Sequence, residues 1–114
     1  MRYVFLGYAD PSVERDWTPD ELEAVIDKHA AFAARMRDEG KFVAGVGLSA
    51  SEATAVVRPN GSDFVVTEGP FAETSEQIGG LYILDCADRD EALALALQMP
   101  FTDTMAVEVR PAPH

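Results

Sequence analysis

The sequence predicts an α+β fold, a sheet with two helices on one side, and three observations carry that expectation. Residues 18–40 bear every signal of a long amphipathic helix. Two runs, residues 3–6 and 81–84, are apolar on both alternating sets of positions, as strands covered on both faces are. Strands and helices then follow one another over the chain with no internal repeat, linker or low-complexity tract, so one domain is expected.

Residues 2–8 form the first predicted strand, with Tyr3 and Phe5 on one side and Val4, Leu6 and Tyr8 on the other. The long helix follows. Thr18 is its N-cap, Pro19 suits the first helical position, and Glu21 completes a capping box. Asp20 and Glu21 complement the positive end of the helix dipole. Leu22, Val25, Ile26, His29, Phe32, Ala33 and Met36 recur at helical spacing and make one stripe, and Gly40 is placed to end the helix in a left-handed conformation.

Residues 42–48 read as a strand that Gly45 and Gly47 thin on one side. Residues 54–58 and 64–67 flank Pro59-Asn60-Gly61-Ser62, a strong hairpin signal. A loop over residues 68–77 leads into a strand over 78–85 that Gly79-Gly80 breaks early. Asp88 and Glu91 supply a second capping box for a short helix over 92–99, which Pro100 stops. The last strand covers residues 105–110, and Pro111 is expected to end it.

With the hairpin set aside the order is β-α-β-β-α-β, the ferredoxin-like pattern with an inserted β-hairpin. Two helices cover only one face of a four-stranded sheet, while the strands are apolar on both. A second copy packed on the open face is the simplest cover, so a homodimer is expected.

Charge and composition exclude several classes. The 114 residues carry a formal net charge of −11, with 20 acidic side chains against 9 basic ones. That field repels a phosphate backbone and an anionic membrane surface, so neither nucleic acid nor membrane is an expected partner. Cys86 is the only cysteine, reads as a small core residue, and precludes an intramolecular disulfide. The apolar N-terminus is too short for a signal peptide before Asp10 and Pro11 intervene, and no stretch has the length of a membrane span. A cytoplasmic location is expected.

The stretch from Glu68-Gly69-Pro70-Phe71-Ala72-Glu73-Thr74 through Ser75-Glu76-Gln77-Ile78-Gly79-Gly80 resembles the signature of the YCII-related family in its DGPF branch. Arg37-Asp38-Glu39-Gly40 and Val107-Glu108-Val109-Arg110-Pro111 extend the resemblance over nearly the whole chain. Glu68 stands where that signature has Asp, and Ser75 where it usually has Lys. The resemblance implies a dimeric α+β barrel. The wider family includes an enzyme that eliminates chloride from a hydroxylated aromatic ring, for which a His-Asp pair has been proposed as the centre. The corresponding histidine lies eleven residues before the helix-ending glycine, the spacing of His29 and Gly40. Many DGPF-type members carry Tyr there, and the acidic residue often found before Pro near the last strand is Met99 in this chain. Some DGPF-type proteins are encoded beside or fused to sigma factors, which implies a regulatory alternative.

His29 is the candidate catalytic residue. A half-buried imidazole works as general acid or base near neutral pH, and it serves equally as a structural histidine bonded to backbone carbonyls. Glu68 is the candidate carboxylate to orient it, with Phe71 folding the acidic loop back onto the domain; in the structural alternative Glu68 only receives backbone N–H bonds. Phe32, Phe71, Glu73 and Tyr82 are the expected substrate-binding residues. Arg58 and Arg110 are available to pair with the loop carboxylates or an anionic ligand. No zinc-like spacing, phosphate loop or cysteine cluster is present, so neither metal nor redox cofactor is expected. The leading expectation is a lyase or isomerase acting on a small, aromatic-like molecule; a non-catalytic binding module, one working with a sigma factor among them, is the alternative.

Overall fold

The helix signalled by Thr18 forms as read. In the computed structural model, which describes residues 1–49, 51–100, 102 and 104–114, the Thr18 hydroxyl accepts the Glu21 N–H at 3.1 Å, and the Glu21 carboxylate accepts the Thr18 N–H at 3.5 Å. This helix (α2, Pro19–Asp38) closes on Gly40, whose φ is +71°. The N–H of Gly40 bonds the carbonyl of Arg37, and that of Lys41 reaches back to Met36 at 2.8 Å, the paired bonds of a Schellman turn.

Before it come β1 (Arg2–Ala9) and a short helix α1 (Pro11–Arg15). After it come β2 (Phe42–Gly47), a single 3₁₀ turn (Ser51–Ala53), the hairpin strands β3 (Ala55–Asn60) and β4 (Asp63–Glu68), β5 (Gln77–Asp85), α3 (Arg89–Ala96) and β6 (Ala106–Ala112). Helix α1 was not expected. Five residues are too few to show periodicity, and Asp10-Pro11 reads as a chain breaker, yet Asp10 caps α1 by accepting the Ser12 N–H at 2.9 Å. Asp88 caps α3 by accepting the Glu91 N–H at 2.9 Å; the Glu91 carboxylate reaches Ala87 N–H, one residue short of a reciprocal box.

Pro111 does not end the last strand. It pairs in register with Tyr3, inside β6, because β6 lies at the sheet edge where a missing N–H faces no neighbour. Pro59 likewise sits within β3 of a two-stranded ladder.

The fold is α+β, a four-stranded antiparallel sheet in the order β2-β5-β1-β6 with a separate β3–β4 hairpin. Gly61, at φ +66°, turns the hairpin between Asn60 and Asp63. Helices α2 and α3 pack on one sheet face. Tyr3, Phe5 and Leu84 from the sheet meet Phe32 and Met36 of α2 and Leu95 of α3 in the buried core. Cys86 belongs to this core, and burial pushes its thiol pKa up. The stripe of α2 is buried only in its C-terminal half; Leu22 and Ile26 are exposed.

The other sheet face presents Val4, Leu6, Leu81 and Ile83, none fully buried, and Val46, 53% exposed. At 46 × 39 × 18 Å, the molecule has the thickness of one sheet and one helical layer. The hairpin also stands open, with Phe64 and Val66 more than half exposed. Among the described residues no helix is long and apolar enough to cross a membrane.

Candidate functional site

Between α2 and the sheet lies a cavity of about 430 Å³, within the range of small-molecule sites. Its sheet wall follows from strand register. Gly47, Gly80 and Gly7 stand side by side on β2, β5 and β1, and this row lies beside the row of Gly45, Tyr82 and Phe5. The glycine row carries no side chains of its own beneath α2, although the Met105 methyl reaches over Gly7, 3.3 Å from where a Cβ would be. Gly80 also has a packing reason: a Cβ there would lie 2.9 Å from the Val46 carbonyl oxygen. At Gly47 a Cβ would meet nothing within 4 Å.

The helix wall comes from one face of α2: Ile26, His29, Ala30, Ala33 and Arg37, at helical spacing. His29 is only partly buried. Its Nδ1 lies 2.7 Å from the Tyr82 hydroxyl, and the same hydroxyl is 3.5 Å from the His29 backbone carbonyl. Tyr82 is held from behind by Phe32, whose buried ring meets it edge to face with centroids 5.3 Å apart. Burial pushes the His29 pKa below its ordinary 6.5 and the Tyr82 pKa above its ordinary 10.0. Both are therefore neutral at pH 7. Either the hydroxyl donates to Nδ1, or Nδ1–H donates to the hydroxyl oxygen while the phenol proton turns to the carbonyl. The pair can follow a proton arriving at Nε2 without a carboxylate.

The expected residues divide between three places. His29 and Tyr82 meet in the cavity, and Phe32 is the buried prop behind Tyr82. Glu68 ends β4 opposite Ala55, is exposed, and does not line the cavity. Phe71 is 75% exposed; it does not fold onto the domain, and its ring lies under the Arg58 guanidinium, 4.9 Å from it. Glu73 borders a shallow depression against α1, with Pro70 and Asp10. Arg110 pairs with Glu108 on its own strand at 3.3 Å. Among the described residues no three His, Cys, Asp or Glu side chains converge in a metal-binding group.

Sequence reasoning named Tyr82 as a wall and missed it as the partner of His29. It also missed Arg37 and Glu14, which line the cavity as well. The glycines at 45, 47, 79 and 80 were the available signal, but their register with Gly7 emerges only from strand pairing.

The YCII-related domain matches residues 1–112. The chain belongs to the YCII-related domain family. This YCII-related protein is also 37% identical, over 113 residues, to an uncharacterized protein of Rhizobium meliloti (strain 1021), with 97% of this chain and 91% of that protein covered. That relative's name assigns no reaction.

Proposed function

We propose that this YCII-related protein is a small-molecule enzyme of the lyase or isomerase kind, with His29 as general acid and base and no redox cofactor. The observation that carries this reading is the 2.7 Å contact between His29 Nδ1 and the Tyr82 hydroxyl at the wall of a mostly apolar cavity. With Nδ1 engaged, Nε2 is the nitrogen left for a substrate. A neutral imidazole there accepts a proton from a substrate C–H or O–H, and the electron pair stays on the substrate. That pair then expels a leaving group from the adjacent atom, as in a lyase, or the proton returns at another atom, as in an isomerase. Tyr82 stabilises the imidazolium by accepting the Nδ1–H bond, the part the sequence assigns to Glu68.

The strand order and antiparallel pairing support a ferredoxin-like arrangement. The open apolar face with Leu6, Leu81 and Ile83 supports a homodimer built by packing sheet on sheet, a dimeric α+β barrel. The loop from Glu68 to Gly80 supports placing the chain in the DGPF branch.

His29→Ala tests the reading. Its thermal stability is expected to stay close to that of the parent, while turnover or binding of any compound found by screening is lost. A marked fall in stability with the ligand response intact would make His29 structural.

A further inference from the structure

The cavity is a slot with unlike ends. Its helix wall between His29 and Arg37 carries only Ala30 and Ala33, and its sheet wall is the row Gly47–Gly80–Gly7. Alanines above and glycines below widen the space between helix and sheet, and the rings of Phe42 and Tyr82 line it with His29, so a ring-sized body fits there. His29 and Arg37 are eight residues apart on α2, about 12 Å along the helix. The long arginine side chain shortens that gap. The Arg37 guanidinium lies 4.2 Å from the centroid of the Phe42 ring. That ring in turn leans over Gly45, its Cε2 only 3.2 Å from where a Cβ would be. The guanidinium is thereby brought toward Tyr82, which also leans over Gly45. Arg37 takes part in none of the ion pairs among the described residues, unlike Arg35, which pairs with Glu39. Glu14, from α1 beyond the Ala9 end of β1, is the one carboxylate among the described lining residues.

We infer that the slot takes a planar, single-ring monocarboxylate, its carboxylate on Arg37 and its flat face on the glycine row beside His29. This rests on the proposed site and names the class of molecule it accepts. A planar guanidinium pairs with a carboxylate through two parallel N–H bonds, and its stacking on Phe42 holds that fork in place. Glu14 repels a second anionic group and so sets which way round the ring lies. The net charge of −11 opposes anions at long range, but salt screens it beyond about 8 Å, and the contact at Arg37 is shorter than that.

The test is binding to the full-length protein, measured by calorimetry and ligand-observed NMR at moderate salt. The probes are salicylate, its neutral isostere salicylamide, and benzylamine as a cation of similar size. Salicylate is expected to bind most tightly, with affinity falling about tenfold or more in Arg37→Gln, as loss of one charged contact implies. Gly47→Val is expected to abolish it, because the new side chain fills the slot while meeting no protein atom near its Cβ. Valine suits a strand, and circular dichroism confirms that the variant is folded. Salicylate binding is read in the parent protein and needs no proton transfer, so a failure of the proton-transfer reading leaves this inference standing. No saturable salicylate binding, a preference for benzylamine or salicylamide, or unchanged binding in either Arg37→Gln or folded Gly47→Val would overturn it. Arg37 is exposed at the end of α2, so its variant tests the inference even where Gly47→Val does not fold.

Discussion

The ring of Tyr82 occupies the space that a side chain on Gly45 would need. A Cβ at Gly45 would stand 2.9 Å from Tyr82 Cδ1, and the two residues face each other in register on β2 and β5. The missing side chain lets the phenol lean across β2 and carry its hydroxyl to His29.

Gly45→Ala is therefore expected to displace the Tyr82 ring and break its bond to His29. Overpacking of this kind costs about 1–3 kcal/mol, which chemical denaturation measures. The His29 ring resonances are expected to move with it, whereas Gly47→Ala, which meets nothing within 4 Å, leaves both unchanged.

Stability is expected to fall on acidification through His29. Burial holds its folded-state pKa below 6.5, so between the two values the unfolded chain binds the proton more readily. The contribution is fully present above about pH 6.5 and is lost as pH falls through the folded value. Thermal melts of the parent and His29→Gln between about pH 7.5 and pH 5 check this, the parent losing more stability than the variant.

Glu68→Gln is expected to leave the His29 titration where it is, because Glu68 ends β4 and does not line the cavity. An NMR titration of the variant measures this. A moved midpoint would show the carboxylate reaching the imidazole from a second copy.

Ile83 lies beside Val4 on the sheet face turned away from the helices. Ile83→Lys is expected to convert the proposed homodimer to a folded monomer in size-exclusion chromatography with light scattering. A parent protein that is already monomeric would contradict sheet-to-sheet pairing.

What was legible in the sequence was local. Thr18, Pro19, Glu21 and Gly40 each act within one or two helical turns, so the ends of α2 could be read from neighbours alone. Asn60-Gly61 marked the hairpin for the same reason, and Tyr3 and Phe5 separated correctly from Val4 and Leu6 because strand alternation is strict. Pro111 misled because an edge position, which excuses a proline, depends on strand order. Phe71 departs from expectation because a large apolar side chain ordinarily seeks a core, whereas here an arginine stacks over it. The candidate site was half legible. His29 faced the sheet as its helical spacing required, but its partner is fixed by the register of β5 against β1 and β2, where Tyr82 and Gly45 meet across strands far apart in the chain.

The most direct check on the proton-transfer site is ¹⁵N NMR of the His29 ring through a pH titration, in the parent protein and in Tyr82→Phe. The expected result is a midpoint below the ordinary 6.5 and an Nδ1 resonance that changes when the hydroxyl is removed. A midpoint at the ordinary value, with Nδ1 indifferent to the loss of the Tyr82 hydroxyl, would contradict the account.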